Sequence, residues 1–168
     1  MTISMHSASV PVFQRLLGNL LNWLDKAEAH AAERGFDPVN YLGLRLAPDM
    51  LPLVKQVQIA SDAAKGCAAR LAGLEVPKWD DNEASLADLR ARVRRTIDYV
   101  GSVPAAQIDG SEAREIVLPL RNRDPLRYNG HDYLRQFALP NFFFHVTTIY
   151  ALLRHAGVPI GKADYLGS

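Results

Sequence analysis

The 168-residue sequence has few of the features that mark secreted, membrane-spanning or nucleic-acid-binding proteins. It has one cysteine, Cys67, so an intrachain disulfide is impossible and a reducing compartment, the cytoplasm, is favoured. The formal net charge is only +1, which offers no electrostatic basis for binding nucleic acid or an anionic membrane. There is no long uninterrupted apolar run and no basic n-region, so neither a membrane span nor a signal peptide is predicted.

The composition that remains is ordinary for a globular protein, with 48% hydrophobic and 22% charged residues. A chain of this length can bury a substantial core without disulfides or metals. We therefore predict a single soluble domain over residues 1–168.

Four long segments carry apolar residues at the three-four spacing of amphipathic helices. They are predicted to run from Ser9 to Arg34, Pro48 to Leu71, Ser85 to Gly101 and His131 to Ala156. Pro140 lies inside the last helix and is expected to kink it or split it. The tail that begins at Val158 looks too short to form a helix of its own.

A short β excursion is predicted between the third and fourth helices. AREIVLPL (113–120) is typical of a strand, RNRD (121–124) of a turn and PLRYNG (125–130) of a second strand. Alternatively, Asn129-Gly130 forms the tip of a two-residue hairpin that pairs Tyr128 with His131. We favour a helix start near His131, because Asp132 suits a first helical turn. The predicted fold class is all-α, a four-helix bundle with a β-hairpin excursion.

Two segments resemble an uncharacterised bacterial branch of the DinB/YfiT-like superfamily. They are SASVPVFQRLLGNLLNWL (7–24) and LPNFFFHVTTIYALLRHAGVPIGKADYLG (139–167). The order of four long helices with an excursion before the last is also similar to that superfamily. The resemblance covers nearly the whole chain and implies a DinB-like bundle.

Better-known members of the superfamily hold a divalent metal with one histidine from helix two and a His-x-x-x-His pair on the last helix. Some are thiol transferases and others are maleylpyruvate isomerases. By this resemblance His145 takes the second position of the pair and Asn141 takes the first, while residues 146–148 replace the usual Arg-Gly-Gln. Helix two has no histidine, and its nearest polar inward candidates are Gln58 and Asp62, which share one face.

The metal site is thus predicted to be degenerate, and no cofactor is expected. If zinc or nickel did bind, the ligands would be His145 and Asp62, since Asn141 is a poor ligand for either metal. The expected feature is instead a pocket whose candidate residues are His145, Asn141, Gln58, Asp62 and Thr148. In its simplest form, His145 is buried and hydrogen-bonded to Asn141, Thr148 or a residue of helix two.

Three functional classes follow. The first is a module that binds a small molecule or a partner and has lost its metal. The second is a divalent-metal-dependent transferase or hydrolase, similar to a thiol transferase, that uses His145. The third is metal-free acid–base catalysis by His145.

Several other residues have simpler interpretations. Cys67 falls on an apolar stripe, so we expect a buried, unreactive thiol. His30 and His155 are predicted to be exposed near helix C-termini. Residues 131–133 are predicted to be a helix start and surface, because sequence neighbours on a helix point in different directions. The arginines of the third helix are interleaved with acidic residues and are predicted to form a solvated face: Arg90, Arg92, Arg94 and Arg95.

Three successive phenylalanines, residues 142–144, cannot all face one core. At least one is therefore expected to meet a partner helix or the tail, and a homodimer is predicted. Tyr165 and Leu166 could dock across that interface.

Overall fold

The computed structural model describes residues 3–120 and 122–167 and is predominantly helical. In chain order the helices are α1 (Val10–Arg34), α2 (Leu53–Ala72), α3 (Leu86–Ser102), α4 (Ala105–Ile108), α5 (Gly130–Asp132), α6 (Leu139–His155) and α7 (Lys162–Leu166). A 3₁₀ turn (Pro38–Gly43), a π-helical segment (Tyr133–Ala138) and a hairpin of β1 (Glu115–Leu120) and β2 (Arg123–Asn129) complete the fold.

The long helices surround one apolar core. Helix α1 packs on α3, α2 packs on both α3 and α6, and α6 also contacts α1. The predicted stripe of α1 is buried, and the ring of Phe13 meets that of Phe142 on α6 edge-on at 4.8 Å. Over the described part of the chain, no helix has the length and apolarity needed to cross a bilayer.

Helix α2 begins at Leu53, later than the predicted start at Pro48. Pro52 has an extended backbone, with ψ at 166°, and a proline also disfavours helical geometry in the residue before it. Leu51, which the predicted helix would include, consequently lies outside α2 and is 47% exposed. Residues 44–52 form an irregular segment that leads into α2.

The last predicted helix is not split at Pro140. Helix α5 starts at Gly130, one residue before the predicted start, and the π-helical segment follows it. Helix α6 continues directly from that segment, because Ala138 and Leu139 both have α-helical backbones, and Pro140 lies immediately after the change from π-helix to α-helix. A Cβ atom at Gly130 would clash with the Ser111 carbonyl oxygen, so this start requires glycine.

The hairpin is antiparallel, with Ile116 opposite Tyr128 and Leu118 opposite Leu126. The alternative hairpin that pairs Tyr128 with His131 is therefore wrong. Strand β2 begins at Arg123, within the predicted turn, and residue 121 of that turn lies outside the described residues.

The tail forms helix α7, contrary to the prediction. Three α1 side chains one turn apart donate hydrogen bonds to its carbonyls: Arg15 to Leu166, Asn19 to Tyr165 and Trp23 to Asp164. The Tyr165 ring stacks on Trp23 of the same chain at 5.6 Å. Contacts with α1 thus stabilise a helix that is too short to persist alone, and Tyr165 docks within its own chain.

Candidate functional site

The most buried polar pair between α2 and α6 is Gln56 with His145. His145 is 8% exposed, and its Nδ1 lies 2.7 Å from Gln56 Oε1. Gln56 is 2% exposed and donates from Nε2 to the Leu51 carbonyl at 3.0 Å. The Gln56 amide therefore links the segment before α2 to the His145 ring.

Burial lowers the pKa of His145 below its ordinary value of 6.5, so the imidazole is neutral at neutral pH. The Phe144 ring meets the imidazole edge-on at 5.2 Å. Among the described residues, the second ring nitrogen, Nε2, makes no hydrogen bond. It is also absent from the set of fully buried polar atoms that lack a partner, so Nε2 retains some solvent-accessible surface. His145 therefore has one nitrogen engaged and one still available.

Asn141 lies one turn before His145 on α6 and is half-buried. Within residues 3–120 and 122–167 its amide makes no hydrogen bond to another side chain or to the backbone. Thr148 is also buried, but its hydroxyl donates to the Phe144 carbonyl at 2.7 Å, within its own helix. His145 Nε2 and the Asn141 amide, on residues one turn apart on α6, thus both lack a hydrogen-bond partner among the described residues.

Gln58 and Asp62 do not join this site. Gln58 Nε2 donates to Glu83 Oε2 at 2.6 Å, and Asp62 Oδ1 lies 3.0 Å from Arg92 Nη2. Both side chains therefore face α3 and the α2–α3 linker, whereas Gln56 faces α6. The predicted proximity of Asp62 to His145 is wrong.

Gln56 was missed by sequence reasoning, although the signal is present. It lies three residues after Leu53 and four before Ala60, on the stripe that is buried in α2.

The arginines of α3 do not form a solvated face throughout. Arg90 is 7% exposed and binds Asp25 and Glu28 of α1, each at 2.6 Å. Arg92 is 4% exposed and binds Glu83 and Asp62. Arg94 and Arg95 are exposed, as predicted.

Arg92 also borders a polar cavity of about 380 Å³ at the α2–α3 linker. Two cations lie over the ring of Trp79 there, Lys65 Nζ at 4.2 Å and Arg95 Cζ at 4.3 Å from its centroid. These contacts hold the linker against both helices.

Of the remaining predictions for histidine and tyrosine side chains, some are confirmed and others are wrong. His155 is exposed as predicted, but His30 is buried, with Nδ1 2.6 Å from the Tyr41 hydroxyl. His131 and Asp132 are surface residues, whereas Tyr133 is 1% exposed and accepts a hydrogen bond from Arg70.

Cys67 is completely buried, and burial raises the pKa of its thiol. The predicted unreactive environment of this thiol is confirmed.

The side chains near His145 do not fit a divalent metal. Zinc sites in proteins use at least three nitrogen, sulfur or oxygen ligands from side chains. Within the described ranges no three His, Cys, Asp or Glu side chains converge, and Gln56 Oε1 is already engaged with His145 Nδ1. One imidazole and one amide make an incomplete donor set.

An apolar groove of about 380 Å³ runs along the outer face of α6. Its lining residues are Leu46, Pro140, Phe143, Phe144, Thr147, Thr148 and Ala151. Phe144 is 56% exposed and Phe143 37%, whereas Phe142 is fully buried in the core.

Comparison with known proteins identifies the family. The sequence profile of DUF1993, a domain of unknown function, matches residues 5–166. No curated protein matches the chain. The crystal structure of a DinB family member protein from Shewanella denitrificans is 39% identical, with a TM-score of 0.86, and the match covers 97% of this chain and 92% of that one. The chain therefore belongs to the DUF1993 family, within the DinB-like superfamily.

Proposed function

We propose that this DUF1993 chain is a small-molecule-binding or interaction module built on a DinB-like four-helix bundle of α1, α2, α3 and α6. The ligand site is centred on His145 and Asn141, where superfamily relatives hold a metal. One observation carries the proposal: the buried, neutral His145 ring is bound at Nδ1 by Gln56, and its Nε2 makes no hydrogen bond within the described residues. The single, buried Cys67 favours the reducing cytoplasm as the place where the module acts.

The rival proposals have less support in the contacts of His145. A metal-dependent transferase or hydrolase needs ligands in addition to His145, and Asp62 is bound to Arg92 and Lys65 instead. Acid–base catalysis by His145 needs a pocket open to solvent and a second polar group within hydrogen-bond reach. The polar side chain that is hydrogen-bonded to His145 is the Gln56 amide, which already occupies Nδ1 and cannot itself transfer a proton.

Two measurements on untagged protein test the proposal. Elemental analysis after incubation with zinc, nickel and manganese is expected to find no stoichiometric metal. A ligand-observed NMR screen of small polar aromatics is expected to give binders that His145→Ala abolishes. The matched control is His155→Ala, because His155 is an exposed histidine on the same helix.

Either measurement can contradict the proposal. Near-stoichiometric metal that is absent from His145→Ala but retained by His155→Ala would establish the metal-dependent alternative. Hits that bind equally to wild type and His145→Ala would place the ligand elsewhere.

We also propose that the chain forms a homodimer through the outer face of α6. Phe143 and Phe144 are exposed next to Leu46, which is 45% exposed, and together they form an apolar surface. Light scattering at tens of micromolar is expected to show a dimer that Phe144→Ser dissociates. Leu74→Ser, at an equally exposed leucine in the linker, is the control. A strictly monomeric wild type would refute the dimer.

A further inference from the structure

We infer that Gln56 is the positioning residue that holds His145 in the Nδ1–H tautomer, so that the site accepts ligands through a hydrogen bond donated to Nε2. The ligand class is a neutral molecule that carries an O–H or N–H donor on an apolar or aromatic body. The ligand part of this inference rests on the proposed binding function, whereas the tautomer does not.

The orientation of the Gln56 amide follows from the Leu51 carbonyl. A backbone carbonyl oxygen only accepts hydrogen bonds, so the amide NH₂ group of Gln56 must face it, at 3.0 Å. The amide oxygen then faces His145 Nδ1 at 2.7 Å. The Leu51 carbonyl can accept this hydrogen bond because Leu51 precedes α2, which starts only at Leu53, after Pro52.

The tautomer follows from the amide orientation. An amide oxygen only accepts, so the hydrogen between Gln56 Oε1 and His145 Nδ1 must be carried by Nδ1. A neutral imidazole has one N–H, so Nε2 carries the lone pair. Burial disfavours the doubly protonated form, and no described carboxylate forms an ion pair with His145 to stabilise it.

The available Nε2 atom defines what the ligand must provide. It can accept a hydrogen bond but cannot donate one, so phenols, alcohols and amides suit it. Carboxylates and ethers have only acceptor atoms and would place a lone pair against Nε2. The edge-on Phe144 ring, 5.2 Å from the imidazole, favours an aromatic body.

The first test is the ¹⁵N NMR spectrum of the His145 ring, recorded where the imidazole is neutral. Nε2 is expected at the position of an unprotonated nitrogen and Nδ1 at that of a protonated one. Gln56→Leu removes the acceptor and is expected to give a mixture of tautomers at His145, whereas His155→Ala leaves Gln56 in place and is expected to preserve the wild-type pattern. If the His145 ring of ligand-free wild type carries its proton on Nε2, the inferred tautomer is wrong.

The second test uses three probes of similar size: phenol, anisole and benzoate. Phenol is expected to bind wild type at least about tenfold more tightly than anisole or benzoate, because only phenol can donate a hydrogen bond to Nε2. Gln56→Leu is expected to lose this preference and His155→Ala to keep it. Equal binding of phenol and anisole would overturn the ligand class. A confirmed tautomer with no binding of any probe would overturn the proposed function and leave the role of Gln56 standing.

Discussion

Arg92 Nη1 donates a hydrogen bond to Glu83 Oε1 at 2.8 Å, although the two side chains are only 3% and 8% exposed. Glu83 also accepts from Gln58 on α2, so one carboxylate connects the linker to both α2 and α3. A buried pair of this kind is expensive to break, because either partner alone would leave an uncompensated charge.

The Glu83 carboxylate makes stability depend on acid pH. Burial alone would raise the pKa of Glu83, but hydrogen bonds from Arg92 and Gln58 outweigh it and hold that pKa below the ordinary 4.5. The folded state therefore binds this proton less tightly than the unfolded state does. The stabilisation is present above pH 4.5 and is lost as the pH falls through the lowered pKa.

Glu83→Gln is expected to lose that part of the acid dependence, which urea midpoints on either side of pH 4.5 will measure. Glu75→Gln, at an exposed glutamate of the same linker, is the control and should retain the wild-type slope. If the urea midpoints of wild type and Glu83→Gln fall equally with pH, Glu83 is not the source of this acid dependence.

Arg90 is expected to stabilise the α1–α3 contact, whereas its exposed neighbour Arg94 is not. Arg90→Ala removes hydrogen bonds to Asp25, Glu28 and the Leu24 carbonyl and should lower the free energy of unfolding by about 2 kcal/mol. Arg94→Ala should change it by less than about 0.5 kcal/mol. Equal effects of the two variants in chemical denaturation would contradict the buried position of Arg90.

Two glycines are expected to respond oppositely to alanine. Gly130→Ala places a methyl group against the Ser111 backbone and should destabilise the protein by about 1–3 kcal/mol. Gly18→Ala, in the interior of α1 with no atom within 4 Å of the new Cβ, should stabilise it by up to about 1 kcal/mol. Thermal unfolding of both variants measures the difference, and a neutral Gly130→Ala would argue against this path of the chain into α5.

His145 is expected to make stability fall on mild acidification. Its folded-state pKa is lowered by burial from the ordinary 6.5, so the unfolded chain binds the proton more tightly. The stabilisation is complete above pH 6.5 and is lost as the pH falls toward the lowered pKa. The stability difference between wild type and His145→Leu should therefore narrow below pH 6.5, as followed by urea unfolding. His155→Leu should show no such narrowing, and a constant difference for His145→Leu would refute the shift.

Local patterns in the sequence were enough to predict the four long helical segments and the hairpin. Ser85, where the third helix was predicted to start, caps α3 by accepting from the Asp88 N–H, and Gly35, directly after the predicted end of α1, adopts the left-handed conformation. The apolar stripe of α1 also follows from the spacing of neighbouring residues. None of these features depends on where another helix lies.

Polar partners across helices could not be predicted in the same way. Successive helical residues point about 100° apart, so the rotation of a helix about its axis decides which side chain meets a neighbour. The choice of Gln56 rather than Gln58 as the partner of His145 was decided by the packing of α2 on α6.

By itself, the sequence determined a mainly helical chain with a hairpin and the burial of Cys67. These depend on residue type and spacing, which a sequence states directly. Tertiary structure decided that Arg90 and Arg92 are buried, that α7 is helical, and that Gln56 orients His145. In each of these cases the stabilising partner lies on a different element, and only packing brings the two close enough for a hydrogen bond to form.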